Sequence, residues 1–180
     1  MRYALFLALA LPAAAMAQSN RGGRNGQPGP GGMGGPTAGA PQQIIAPEVP
    51  VLEGLPHAVK IGFTVYVSAM VPLDSTGNLV GAGNPGVQVH QVLANLGAVM
   101  RAARGVPGDV VRATVYVKDL TPEKVLMVRK EVLDALDRTA PPALTIVGVS
   151  AFAEPGIEVM IEATGQLRSE FPDKSRLGKP

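Results

Sequence analysis

The closing stretch of the chain, residues 142–163 (PALTIVGVSAFAEPGIEVMIEA), constrains the fold most strongly. Both of its halves alternate apolar residues with other residues, the pattern of β-strands that place one face on a core. Residues 154–156, Glu-Pro-Gly, predict a turn between the strands, because Pro fixes φ and Gly tolerates positive φ. In the second half, Met160 and Glu162 are predicted to face away from the core. The predicted core-facing residues there are Ile157, Val159 and Ile161.

Two earlier segments show the same alternation. Residues 59–71 predict a strand pair or one bent strand with Gly62 at the bend, and residues 110–118 predict a further strand. Met70 is predicted to lie on the face opposite the core. The residues predicted to share the core face are Phe63, Val65, Val67, Ala69 and Val71 in the first segment, and Val111, Ala113, Val115 and Val117 in the second.

Two helices are predicted between these strands. Asn84 caps the first, which begins at Pro85, runs to about Ala103 and stops at Gly105. The second is capped by Thr121, with Pro and Glu in its first turn. The apolar stripes are predicted to be Val89, Val92, Leu93, Leu96 and Met100 in the first helix, and Val125, Val128, Val132 and Leu136 in the second. The element order ββαβαββ predicts an α/β layer with both helices packed on one face of the sheet.

The ends of the chain differ from its middle. Residues 1–17 have the charged start, short apolar run and Ala-x-Ala site of a secretory signal peptide, which predicts an exported, periplasmic or secreted protein. An uncleaved membrane anchor is the alternative, although the apolar run is short for a span. Residues 18–50 are predicted to be a Gly- and Pro-rich disordered linker and a lead-in: residues 18–41 are disordered, and residues 42–50 form an extended lead-in that could add to a sheet edge. Residues 51–167 form the predicted domain, and residues 168–180 a polar tail.

Composition excludes several functions. The 180 residues carry a formal net charge of +2 and only 4% aromatic residues, so neither a basic footprint nor a stacking platform for nucleic acid is predicted. The chain has no Cys, which removes disulfides, thiolate nucleophiles and zinc-thiolate sites. His57 and His90 are its two histidines, and they do not form a usual ligand set, so no metal site is predicted.

Several blocks of sequence occur in the order found in one known family. They are residues 65–68 (Val-Tyr-Val-Ser) followed by Pro72, residues 91–96, residues 108–120 and the closing strands. Residues 55–166 therefore resemble RidA (YjgF-type) reactive-intermediate deaminases. The resemblance implies a chorismate-mutase-like α/β fold and a homotrimer with ligand clefts between subunits. It also implies hydrolysis of enamines and imines, such as 2-aminoacrylate, to a keto acid and ammonia without cofactor or metal.

The chain departs from this family at the positions that carry the reaction. Leu144 stands where the family has the arginine that binds the substrate carboxylate, and Met160 where it has its first glutamate. Met127 replaces a common cleft asparagine and Met70 a glutamine, while the family's Pro-Tyr-Ser-Gln entry segment is shortened to residues 56–59. The resemblance thus predicts a ligand cleft of altered character, lined by Ser68, Met70, Met127, Leu144, Thr145 and Met160.

Three functions are compatible with this pattern. The first is an exported RidA-like homotrimer whose clefts bind a small, less acidic or more apolar molecule without the standard deaminase chemistry. The second is a divergent, cofactor-independent imine or enamine deaminase, for which the candidate catalytic residues are Ser68, Thr145, Glu162 and His57. The third is a structural or partner-binding trimer, in which the methionines fill the former clefts or a subunit interface.

Overall fold

A computed structural model describes residues 39–52 and 54–168. The predicted signal peptide, residues 18–38 of the linker and residues 169–180 of the tail lie outside the described residues. Within the described part of the chain, no helix is both long and apolar enough to cross a membrane.

One six-stranded sheet and two helices build the domain. The strands are β1 (Gln42–Ile44), β2 (Ala58–Ile61), β3 (Thr64–Met70), β4 (Val110–Lys118), β5 (Ala143–Val149) and β6 (Val159–Gln166). The helices are α1 (Pro85–Ala102) and α2 (Pro122–Ala135). The strand order across the sheet is β1-β2-β3-β6-β4-β5. This confirms the predicted α/β class. The start of the lead-in, β1, pairs antiparallel with β2 at the sheet edge, as predicted for residues 42–50.

The two closing strands are separated in the sheet by β4. β5 runs parallel to β4, and β6 returns antiparallel between β4 and β3. A parallel pair requires a crossover connection, which α2 supplies between β4 and β5. The turn around Pro155 and Gly156 is therefore part of a connection that crosses to the far side of β4, and it does not join neighbouring strands.

Both helices begin where the sequence predicts. The Asn84 side chain accepts a hydrogen bond from the Val87 backbone N–H at 3.2 Å, and the Thr121 hydroxyl accepts one from the Lys124 N–H at 3.3 Å. At the end of α1, Arg104 adopts the left-handed conformation (φ 69°), one residue before the predicted stop. The predicted stripes are buried, except that Val125 is only half-buried; the buried members are Val89, Val92, Leu93, Leu96, Met100, Val128, Val132 and Leu136.

Two irregularities overturn the predicted face of particular strand residues. Between Val67 and Met70, β3 advances three residues while β6 advances two, so Met70 turns inward and is only 4% exposed. A similar shift near the start of β4 buries Val110 and leaves Val111 49% exposed, contrary to the prediction. Such bulges reverse the side on which the following residues point. Phe63, also predicted to face the core, lies in the β2–β3 turn and is exposed.

A buried amide joins α1 to the connection before β6. Gln88 is fully buried, and its Nε2 donates to the carbonyls of Gly81 at 3.0 Å and Gly156 at 2.7 Å. Its Oε1 accepts from the backbone N–H groups of Glu158 at 2.7 Å and Val159 at 3.3 Å. All four hydrogen-bonding positions of the side chain are thus used, which fixes the path by which β6 enters the sheet.

Candidate functional site

Three of the six predicted cleft residues meet in one apolar pocket. Ser68 and Met70 from β3 and Met160 from the neighbouring β6 line a cavity of about 260 Å³. Met70 lies at the register shift of β3, and Ala69 beside it also lines the cavity. The rest of the wall comes from the segment between β1 and β2 and from the end of β3: Val49, Pro50, Leu52, Leu55, Pro56, His57 and Val71. None of these described lining residues is Arg or Lys.

His57 holds this wall in place. Its side chain is buried, and its Nδ1 accepts a hydrogen bond from the Ala46 backbone N–H at 2.9 Å. That bond places the ring proton on Nε2, which lies 3.1 Å from the Pro50 carbonyl and donates to it. With both ring nitrogens bonded to backbone, His57 is arranged as a structural residue of the wall, and it can serve as an acid or base only if these bonds open.

Ser68 is the polar group at the pocket. Its hydroxyl donates to the Pro56 carbonyl at 2.9 Å, and the residue is exposed. A serine nucleophile needs a neighbouring base to take its proton. The one imidazole at the pocket, that of His57, already has both nitrogens engaged. The geometry therefore favours Ser68 as a hydrogen-bonding group for a ligand over a nucleophile.

The other three cleft residues lie elsewhere in the chain. Met127 on α2 and Leu144 on β5 are half-buried and pack against the hydrophobic core. Thr145 is exposed on β5, which is an edge strand of the sheet. Because β4 separates β5 from β6, a single chain does not bring these residues together with Met160. The predicted cleft is thus divided into two groups within one chain.

Glu162 belongs to a second, polar pocket on the sheet. It accepts a hydrogen bond from the Tyr116 hydroxyl at 2.9 Å. This bond, together with the loss of water and the nearby negative charge, raises the pKa of Tyr116 above its ordinary value. The cavity measures about 290 Å³ and is lined by Tyr66, Val67, Arg112, Thr114, Glu162, Ala163 and Thr164.

The sequence alone does not reveal this polar pocket, because an arginine in a strand pattern is typical of a solvated side chain. Polar residues at alternate positions of two strands indicate such a pocket: Arg112, Thr114 and Tyr116 in β4, and Glu162 and Thr164 in β6. Recognising it required the knowledge that β4 and β6 pair.

Within residues 39–52 and 54–168, no three His, Asp or Glu side chains cluster closely enough to hold a metal ion.

Comparison with known proteins identifies the family of the domain. The sequence profile of the family described as endoribonuclease L-PSP matches residues 48–166. A RutC family protein of Saccharolobus solfataricus is 36% identical over 108 residues, which cover 60% of this chain and 81% of that protein. A 2-iminobutanoate/2-iminopropanoate deaminase of Salmonella typhimurium is 30% identical over 107 residues, covering 59% of this chain and 82% of that protein.

Other matches are shorter: the chain spans about half the length of several curated relatives, for example 51% of a RutC family protein of Sulfurisphaera tokodaii. Among solved structures, RidA from the Antarctic bacterium Psychrobacter sp. PAMC 21119 superposes with a TM-score of 0.62 at 31% identity. The superposition covers 70% of this chain and 99% of that one. The fold and the order of its elements are therefore shared along nearly the whole of that protein.

Proposed function

The chain belongs to the endoribonuclease L-PSP family, the RidA/YjgF family, and from that premise we propose that it binds a small neutral or apolar molecule without performing the standard deaminase reaction. The observation that carries the proposal is the apolar pocket at Ser68, Met70 and Met160, whose described lining includes no cation. Methionine side chains adapt to irregular ligands, and Ser68 supplies one hydrogen-bonding group.

An acidic ligand fits this pocket poorly. A carboxylate buried without a cationic partner costs about 2–5 kcal/mol of binding free energy, which corresponds to a loss of affinity of at least about 30-fold. Neither Leu144 nor Met160 can supply the charged contacts that the family resemblance assigns to these positions. A ligand whose recognised part is uncharged avoids this penalty.

The complete cleft is proposed to form between copies of the chain. Met127, Leu144 and Thr145 lie on α2 and edge strand β5, apart from Met160 within one chain. A neighbouring copy that brings its β5 edge to the pocket would join the two groups, as the family resemblance implies for a homotrimer. Light scattering on the purified protein tests this assembly: a mass of three chains supports it, and a monomer contradicts it.

Export is proposed from the sequence of residues 1–17. Intact-mass measurement of the protein recovered from the periplasm or culture medium of its host tests it. The proposal expects a chain that begins at Gln18. A full-length chain recovered with the membranes would instead favour the anchor alternative.

A divergent imine deaminase is the second candidate. Its support is the similarity to the Salmonella typhimurium protein named as a 2-iminobutanoate/2-iminopropanoate deaminase. The geometry gives it less support, because Ser68 and His57 donate to backbone carbonyls and Glu162 lies in a different pocket. Thr145 lies on β5 and lines neither pocket. The four candidate catalytic residues therefore do not converge within one chain.

Ligand-observed NMR with paired fragments tests the binding proposal. Each pair has the same apolar body and ends in either a primary amide or a carboxylate. The amides are expected to bind at least about 30-fold more tightly than their carboxylates. The Met160→Lys variant adds a cation at the pocket and should reverse this preference. Leu126→Lys, at an exposed position on α2, is the matched control and should leave the preference unchanged.

Two results would overturn the proposal. One is tight carboxylate binding by the unaltered protein. The other is the absence of binding by any fragment, which would favour the structural trimer.

A further inference from the structure

Ser68 is fixed to the wall of the apolar pocket by two hydrogen bonds. Its backbone N–H donates to the His57 carbonyl at 2.9 Å, and its hydroxyl donates to the Pro56 carbonyl at 2.9 Å. A carbonyl oxygen can only accept, so the single hydrogen of the hydroxyl points at Pro56. What the Ser68 Oγ atom can still offer to a ligand is therefore its lone pairs.

The remaining polar side chains of this pocket have no hydrogen to give either. His57 is the other hydrogen-bonding side chain among the described lining residues, and its Nε2 hydrogen is donated to the Pro50 carbonyl at 3.1 Å. The thioether sulfurs of Met70 and Met160 are weak acceptors that carry no hydrogen. The described side chains of the wall can thus accept a hydrogen bond from a ligand, but they have no free hydrogen to donate.

Turning the Ser68 hydroxyl toward a ligand would break its bond to Pro56. Within the described part of the chain, no other group donates to the Pro56 carbonyl. A bound ligand would also keep water from taking the place of the hydroxyl, and a covered carbonyl without a partner is unfavourable. The geometry therefore disfavours a ligand whose polar group only accepts, as in an ether, a ketone or a nitrile.

We propose that the polar end of the ligand is a neutral hydrogen-bond donor, a hydroxyl or an amide N–H, that lies against the Ser68 Oγ atom. The inference rests on the proposed function, since it concerns the ligand of the same apolar pocket. A charged ammonium donor fits poorly, because the described lining includes no Asp or Glu. A neighbouring copy of the chain can close the cleft without altering the preference, because the bond between Ser68 and Pro56 lies within one chain.

Two isomeric probes test the inference on the unaltered protein. 2-Phenylethanol ends in a hydroxyl, which donates and accepts, whereas benzyl methyl ether has the same atoms and only accepts. Ligand-observed NMR titrations at matched protein concentration give the two affinities. The alcohol is expected to bind at least about threefold more tightly. Equal affinities, or tighter binding of the ether, would overturn the inference and leave the binding proposal standing, whereas binding of neither probe would overturn both.

Ser68→Cys supplies the second arm. The thiol keeps a hydrogen for the Pro56 carbonyl, but sulfur is a weak acceptor, so the preference for the alcohol should fall below about twofold. Ser150→Cys, at an exposed position outside the pocket, is the matched control and should keep the preference. An unchanged preference in Ser68→Cys would mean that another group accepts from the alcohol, which contradicts the proposal.

The mass of each variant is checked by light scattering, so that a change in assembly is not mistaken for loss of the acceptor. If Ser68→Cys changes mass, the comparison of the two isomers on the unaltered protein still decides the question.

Discussion

Replacing the buried amide of Gln88 should destabilise the domain more than the small change in side-chain volume suggests. In Gln88→Leu, the volume is nearly kept, but four hydrogen bonds to backbone are lost. The two carbonyls retain other partners, because Asn84 N–H donates to Gly81 O at 2.8 Å and Gly83 N–H donates to Gly156 O at 3.0 Å.

The cost therefore falls on the two donors, the backbone N–H groups of Glu158 and Val159. A donor left unpaired in the interior costs about 1–3 kcal/mol, so the variant should lose about 2–6 kcal/mol of unfolding free energy. Urea denaturation followed by circular dichroism measures this loss. Protein concentration is matched between samples, since association alters apparent stability.

Two control variants sharpen the Gln88 measurement. Gln43→Leu, at an exposed position of edge strand β1, should change stability by less than about 0.5 kcal/mol. Gln88→Glu keeps an oxygen for the two N–H groups but turns a second oxygen toward the carbonyls of Gly81 and Gly156, so it should also destabilise. If Gln88→Leu unfolds within about 0.5 kcal/mol of the unaltered protein, the assigned role of the amide is wrong.

Three further predictions concern single positions. Gly81→Ala should cost more than Gly83→Ala in thermal unfolding, because both residues have positive φ but only at Gly81 would a Cβ meet a valine side chain at 2.6 Å; equal costs would refute the clash. His57→Leu should lose about 1–3 kcal/mol in urea denaturation, because a buried N–H and a carbonyl lose their partner; a neutral change would refute the structural role. Ultraviolet titration should show Tyr116 ionising above its ordinary pKa of 10.0, with stability falling as the pH rises past that value because the unfolded chain ionises first. Glu162→Gln should lower the pKa of Tyr116, and an unchanged titration would contradict the assigned cause.

The elements of the fold are predictable because local signals set them. Asn84 and Thr121 cap their helices, and the apolar stripes behind them become buried. Alternation along a strand predicts its inner face only while the register stays regular. The bulges at Met70 and Val111 depend on how each strand pairs with β6, so the local sequence does not predict them.

The candidate site was predictable only in part, for the same reason. The family resemblance indicates Ser68, Met70 and Met160 as cleft residues, and the structure brings these three together. The polar pocket arises instead from pairing between β4 and β6, which are distant in sequence. That Arg112 and Glu162 are diagonal neighbours can be recognised only once β4 and β6 are known to pair.

Release of ammonia and keto acid from freshly generated imino acids decides whether the chain performs the standard deaminase reaction. The unaltered protein is assayed beside the double variant Leu144→Arg, Met160→Glu, which places the two family side chains at their matching positions. We expect no rate above background for the unaltered protein, whether or not the variant gains activity. A clear rate for the unaltered protein would contradict the binding proposal and favour the divergent deaminase.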